Sequence, residues 1–159
     1  MALSSNANST SYVWPTLALA NSYGLQLGQV VQQNKNSPNY QMLVQNNPSG
    51  GNIAANAAVK WTTGEAGAFQ VDPTAATTDV CIGANDQAAA IITAGECFWI
   101  GYKGQVSPLV ENGVGQGAVL SPSATAGVLN TTGGDNQGNI STAAAQSGAG
   151  NTPTLCWFA

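Results

Sequence analysis

The seven carboxylates are where any chemistry of this chain would have to start, because it carries three lysines, no arginine and no histidine. Without an imidazole there is no Ser-His or Cys-His dyad and no ordinary general base near neutral pH. Asp79, Asp86 and Glu96 could be imagined as a metal or acid/base set. Calcium, however, needs six or more oxygen ligands in a tight loop, and no DxDxDG pattern is present. Glycoside hydrolysis needs two carboxyl groups facing each other across a cleft, which these spacings do not indicate. Surface solvation is the better reading of all three. Cys81, Cys97 and Cys156 are odd in number, widely spaced and without a CxxC pair, so they read as small buried hydrophobes on strands. Zinc held by cysteine and carboxylate alone would be rare. The run Gly113-Val114-Gly115-Gln116-Gly117 has the glycine spacing of part of a nucleotide loop. It opens a strand-like Ala118-Val119-Leu120 instead of a helix, and no acidic residue follows about twenty positions on. The residues therefore point to no catalytic set, no metal site and no cofactor, and the chain is read as not an enzyme.

Charge narrows the partners further. Only 6% of residues are charged, the net charge is −4 and the pI is near 4.1, against about 25% charged residues in an ordinary soluble domain. A surface without clustered Lys or Arg cannot neutralise phosphates, so nucleic acid and anionic membranes are excluded as expected partners. Yet 43% of residues are hydrophobic, which is not the signature of a disordered chain. Solvation falls to Asn, Gln, Ser and Thr. Such a surface suits permanent contact with neighbours, since amide and hydroxyl contacts desolvate little charge and are insensitive to salt. Met1 to Pro15 lacks the basic stretch of a secretory signal, and no window reaches the length of a membrane span, so synthesis and initial residence in a cytoplasm are expected. The Asn-x-Ser/Thr triplets at Asn8, Asn130 and Asn139 are read as chance matches.

The elements that would position these residues read as all-β: a small sandwich or barrel of about eight to ten short strands with an extended N-terminal arm. One domain is expected at 159 residues. The arm covers residues 1–16 and a single β-rich domain covers 17–159, including a low-complexity loop at 130–154. Leu25 to Gln33 and Tyr40 to Gln45 read as strands able to pair antiparallel across a polar Asn/Pro loop. The NNPSGG cluster, Asn46 to Gly51, is a turn. Ile53 to Trp61 is ambiguous between helix and strand, as is Asp86 to Ile92. Ala68 to Val71 and Asp79 to Ile82 are expected strands. Glu96 to Gly101 is a strand with Cys97 and Trp99 on one face and Phe98 and Ile100 on the other, so both faces need covering. Tyr102-Lys103-Gly104 reads as a turn and Gln105 to Val110 as the returning strand, with Pro108 near an edge or bulge. Gly117 to Leu120 and Gly127 to Leu129 are two short strands. The closing Leu155-Cys156-Trp157-Phe158-Ala159 is too apolar for solvent and reads as a strand in the core or in an intermolecular interface.

Four tryptophans and four tyrosines could line a carbohydrate-binding face, but no ladder spacing is evident and packing is the favoured role. Tyr12, Trp14, Trp157 and Phe158, close to the chain ends, are the candidates for intermolecular contact.

The run Ile91 to Val106 (IITAGECFWIGYKGQV), continuing through Gly117 to Gly127 (GAVLSPSATAG), resembles small structural proteins of tailed bacteriophages. In these an "AGexxWi…kGxV" hairpin precedes a "Gxxl…S…aG" loop. The resemblance covers about a quarter of the chain, and its composition and size are similar to cyanophage-type capsid decoration, or cement, proteins. It implies a virion structural protein on the capsid surface, assembled in the host cytoplasm. It also implies a homotrimer that bridges major capsid protein subunits through extended termini, with no catalytic residues to transfer. Another phage structural role, as a head fibre or tail component, and a carbohydrate-binding β-module are the alternatives.

Overall fold

The computed structural model describes residues 12–33, 36–63, 68–86, 91–131 and 140–159. Most of the expected arm, residues 87–90 of the ambiguous Asp86–Ile92 stretch, and 132–139 of the low-complexity segment lie outside them.

The organising element is a ten-residue strand, Cys97–Val106. In chain order the strands are β1 (Val30–Gln32), β2 (Tyr40–Asn46), β3 (Ala58–Trp61), β4 (Gln70–Pro73), β5 (Gly83–Ala84), β6 (Cys97–Val106), β7 (Leu109–Val110), β8 (Ser121–Pro122), β9 (Val128–Asn130), β10 (Ile140–Thr142), β11 (Thr152–Pro153) and β12 (Cys156–Phe158). One short helix, α1, spans Leu17–Ser22. The architecture is all-β. β2, β4, β3, β5 and β6 close on themselves into a five-stranded barrel, because β2 pairs with β6 as well as with β4. A second sheet runs β11-β7-β9-β8.

The alternation read from Cys97 to Ile100 is what gives β6 two buried faces. Phe98 and Ile100 turn into the barrel with Val44, Val59, Val71, Ile53 and Ile92. Cys97 and Trp99 turn outward with Leu43 and are roofed by Trp14, Ala20 and Leu25. Burying side chains of this size stabilises the fold by about 2–3 kcal/mol each. The roof includes α1, whose Thr16 Oγ1 accepts the Leu19 N–H at 3.1 Å as an N-cap. A third apolar cluster holds Val106, Val110, Leu120, Leu129, Ile140, Cys156 and Phe158.

Several expectations are corrected. No turn occurs at Tyr102–Gly104: β6 runs straight through and changes partner, from β2 to β12. Tyr40 pairs with Lys103 but Gln41 with Gly101, so Tyr102 is the extra residue of a bulge. Gly104 has φ +86, and a Cβ there would lie 2.6 Å from Asn39 Oδ1 and from the Pro38 carbonyl oxygen. Asn39 Oδ1 accepts the Gln105 N–H at 2.8 Å and carries the strand onward. The glycine serves a bulge, not a reversal. Pro108 consequently stands before β7, an interior strand of the second sheet, and its carbonyl accepts the Thr154 N–H. Asp79 to Ile82 is not a strand; Asp79 accepts the N–H groups of Ala75 and Ala76, which holds it in a loop, and β5 follows at Gly83. Of Leu25 to Gln33 only Val30–Gln32 is strand, antiparallel to β2 as expected. Within 130–154, β10 and β11 form because Ile140 and Thr142 are buried, Thr142 Oγ1 bonding Gly115 O and taking the Ala118 N–H. Gly117–Leu120 is not a strand: Val119 makes only an isolated bridge to Ser141 and β8 follows at Ser121–Pro122, whereas the expected Gly127–Leu129 strand is met by β9 at Val128–Asn130.

Candidate functional site: the two tryptophan-bearing ends of one strand

The described carboxylates are held at separate places in the fold. Asp79 Oδ1 lies 2.8 Å from Lys60 Nζ. Burial pushes the Asp79 carboxyl up, but the Lys60 hydrogen bond, the two backbone N–H donors and the Lys60 charge outweigh it and hold Asp79 below the usual carboxylate range. Asp86 Oδ2 accepts the Ser107 N–H at 3.3 Å and Glu96 Oε2 accepts the Thr93 N–H. Asp72 takes Asn47 and Thr62. Asp79, Asp86 and Glu96 are not assembled into one constellation, and among the described residues no group of three or more Cys, Asp or Glu could hold a metal. The 113–117 glycine run is a loop between β7 and β8, clamped by Gln146, whose Oε1 accepts the Gly113 N–H.

The three thiols are free and burial dominates each: Cys81 and Cys156 are pushed up to about 12 and Cys97 to about 11, the neighbouring Glu96 charge adding to the last. Such thiols are neutral and poorly nucleophilic. A shallow hollow of about 380 Å³ beside α1 is lined by Gly24, Gln26, Leu27, Gly28 and Gln29 and contains no titratable group.

What the fold does build is a pair of aromatic ends on β6. At its start, Trp14 exchanges both backbone hydrogen bonds with Cys97, each 2.9 Å, and buries its indole in the roof, 2% exposed. Tyr12 packs its ring on Trp14 at 4.9 Å yet remains exposed. Leu19 and Tyr23, four residues apart along α1 and its C-cap, are also exposed. At the other end of β6, β12 lies between β6 and β10, with Trp157 paired to Gln105 and to Ser141. β12 alternates: Cys156 and Phe158 point into the core and Trp157 points out, 43% exposed. The two ends are about 25 Å apart by strand rise.

Of the four contact candidates, Tyr12 and Trp157 present free surface, at opposite ends of β6. Trp14 and Phe158 are committed to the chain's own core, which leaves them little to offer a neighbour. The C-terminal strand completes its own subunit. Leu19 and Tyr23 were missed; the signal was present in Thr16 followed by an apolar pair at helical spacing. No protein-family model matches the chain, nor does any curated protein or solved structure.

Proposed function

We propose that this chain is a virion structural protein that decorates and stabilises a phage capsid by bridging major capsid protein subunits, without catalysis. The resemblance of Ile91–Gly127 to phage structural proteins motivates the reading. The observation that supports it most is the arm-side end: Tyr12, Leu19 and Tyr23 are each exposed on a segment pinned to β6 by Trp14. Eleven uncharged residues precede Tyr12. Extended, eleven residues reach about 36 Å, enough for the body to rest on one shell subunit while the leader pairs with the next by strand addition. A contact surface poor in ions would hold across changes of salt.

The test is sedimentation with expanded shells assembled from the major capsid protein encoded in the same genome. The full chain pellets saturably with shells, with little change from low to high salt, and removing residues 1–11 weakens binding at least about tenfold. The deletion stops short of Trp14 because that residue belongs to the core. A chain that stays in the supernatant, or one that binds equally well without residues 1–11 and with Tyr12, Leu19 and Tyr23 changed to Ser, overturns the proposal.

A further inference from the structure

The Trp157 end carries a different surface. Trp157 pairs in register with Gln105 of β6 on one side and Ser141 of β10 on the other, and Ser141 bridges to Val119. Residues in register across a sheet project from the same face, with Cβ atoms about 5 Å apart. Gln105, Trp157, Ser141 and Val119 therefore form one transverse row on the outer face of the sheet. Their strand neighbours Val106, Cys156 and Thr142 are buried beneath it. Trp157 and Val119 are exposed, as is Leu155, two residues before the tryptophan. The side chains of Gln105 and Ser141 make no hydrogen bond among the described residues, so a neutral amide and a neutral hydroxyl flank the indole.

Size and charge choose the occupant. Three strand spacings by two residue rises give about 14 by 7 Å, about 100 Å². A stable protein interface takes about 800 Å² from each partner, so this row is too small to hold a second copy by itself. It carries no ionised side chain. Lys103, two residues along β6 from Gln105, stands over the Tyr40 ring with its nitrogen 5.7 Å from the centroid. A flat apolar plate edged by uncharged hydrogen-bonding groups complements a neutral pyranose, whose C–H face stacks on an indole while its equatorial hydroxyls meet amide and hydroxyl groups at the rim. Val119 and Leu155 continue the apolar surface past the indole in two directions, as a polymer requires.

We infer that the outer face of β6–β12–β10 is a binding site for a neutral polysaccharide, with Trp157 as the stacking platform and Gln105 and Ser141 as its hydrogen-bonding flanks. The site is independent of the arm-side end.

The full chain, net charge −4, is run in native gels cast with hydroxyethylcellulose, with galactomannan, or with alginate as the charged control. Retardation by at least one neutral polymer, exceeding that by alginate, is the expected result, with a blue shift of tryptophan emission in solution. Trp157→Ala reduces the affinity about tenfold or more and Gln105→Ala by less. A chain lacking residues 1–11 is retarded like the full chain, so failure of the capsid reading leaves this result standing. Circular dichroism checks that both point variants keep the β-fold. Absence of retardation in both neutral polymers, retardation unchanged in Trp157→Ala, or a Trp157→Ala chain whose only change is conversion from oligomer to monomer in sedimentation velocity would each overturn the inference; the last makes the face a subunit contact.

Discussion

Two tryptophans reach β6, one at each end, and the strand treats them in opposite ways. Trp14 meets Cys97 through two backbone hydrogen bonds and disappears into the roof; Trp157 meets Gln105 through the β12 ladder and stands in solvent. The residue type is the same and so is the strand. What differs is the face. Cys97 and Trp99 present an apolar surface that must be covered, and Trp14 with α1 supplies the cover. At Gln105 the bulge at Tyr102 and Gly104 has changed β6's partner, the inward positions are filled by Val106, Cys156 and Phe158, and Trp157 takes the outward position of the alternation. Proximity to a chain end therefore says little about whether an aromatic residue is an anchor for a neighbour. The two-residue period of the strand that receives it decides.

The largest expected effect comes from removing the buried member. Trp14→Ala opens a cavity in the roof and should cost about 3–5 kcal/mol of unfolding free energy, read by urea denaturation followed by far-ultraviolet circular dichroism. A loss below about 1 kcal/mol would mean that Trp14 is not fixed over Cys97, and would return it to the group of free contact residues.

This contrast marks the boundary of what residues alone disclosed. The two faces of β6 were legible because Cys97 to Ile100 is apolar at every position, which only a strand covered on both sides accommodates. Leu155–Ala159 was legible as a strand from its apolar run, although the structure covers only the Cys156 and Phe158 face of β12 and leaves Trp157 out. The partner change was not. Tyr102-Lys103-Gly104 has turn composition, and a glycine at positive φ serves a bulge as well as a reversal; only Asn39, sixty-six positions away in the hydrogen bond it receives from Gln105, separates the two. The Trp157 row was illegible because it joins Val119, Ser141, Trp157 and Gln105 from four separate stretches. No local spacing carries it. Closure of the barrel was similarly hidden in the pairing of β2 with both β4 and β6.

The cysteines next to each tryptophan sharpen the comparison. Cys97 lies under Trp14 with its thiol pushed up to about 11, and Cys156 lies beside Trp157 but beneath the sheet with its thiol pushed up to about 12. Raised values mean that the neutral form persists well above neutral pH, so native labelling by iodoacetamide at pH 8 should be slow at both. It should rise with pH, about tenfold per unit while pH remains below those values. In Trp14→Ala the rate at Cys97 should climb while Cys156 stays protected, with peptide mass spectrometry separating the sites. In Trp157→Ala neither rate should change, since that indole covers neither thiol. Equal acceleration at both cysteines in Trp14→Ala would signal global unfolding and erase the distinction between the two ends.

The smallest effect belongs to the exposed member. Trp157→Ala removes no core contact, and its strand remains held between β6 and β10 by ladder hydrogen bonds and by Cys156 and Phe158. The expected change in unfolding free energy is within about 0.5 kcal/mol, measured in the same urea titration as Trp14→Ala. The 43% of Trp157 that stays exposed is surface that the subunit leaves uncovered. A loss of 2 kcal/mol or more would instead make Trp157 a packing residue and remove the reason to seek a ligand for it.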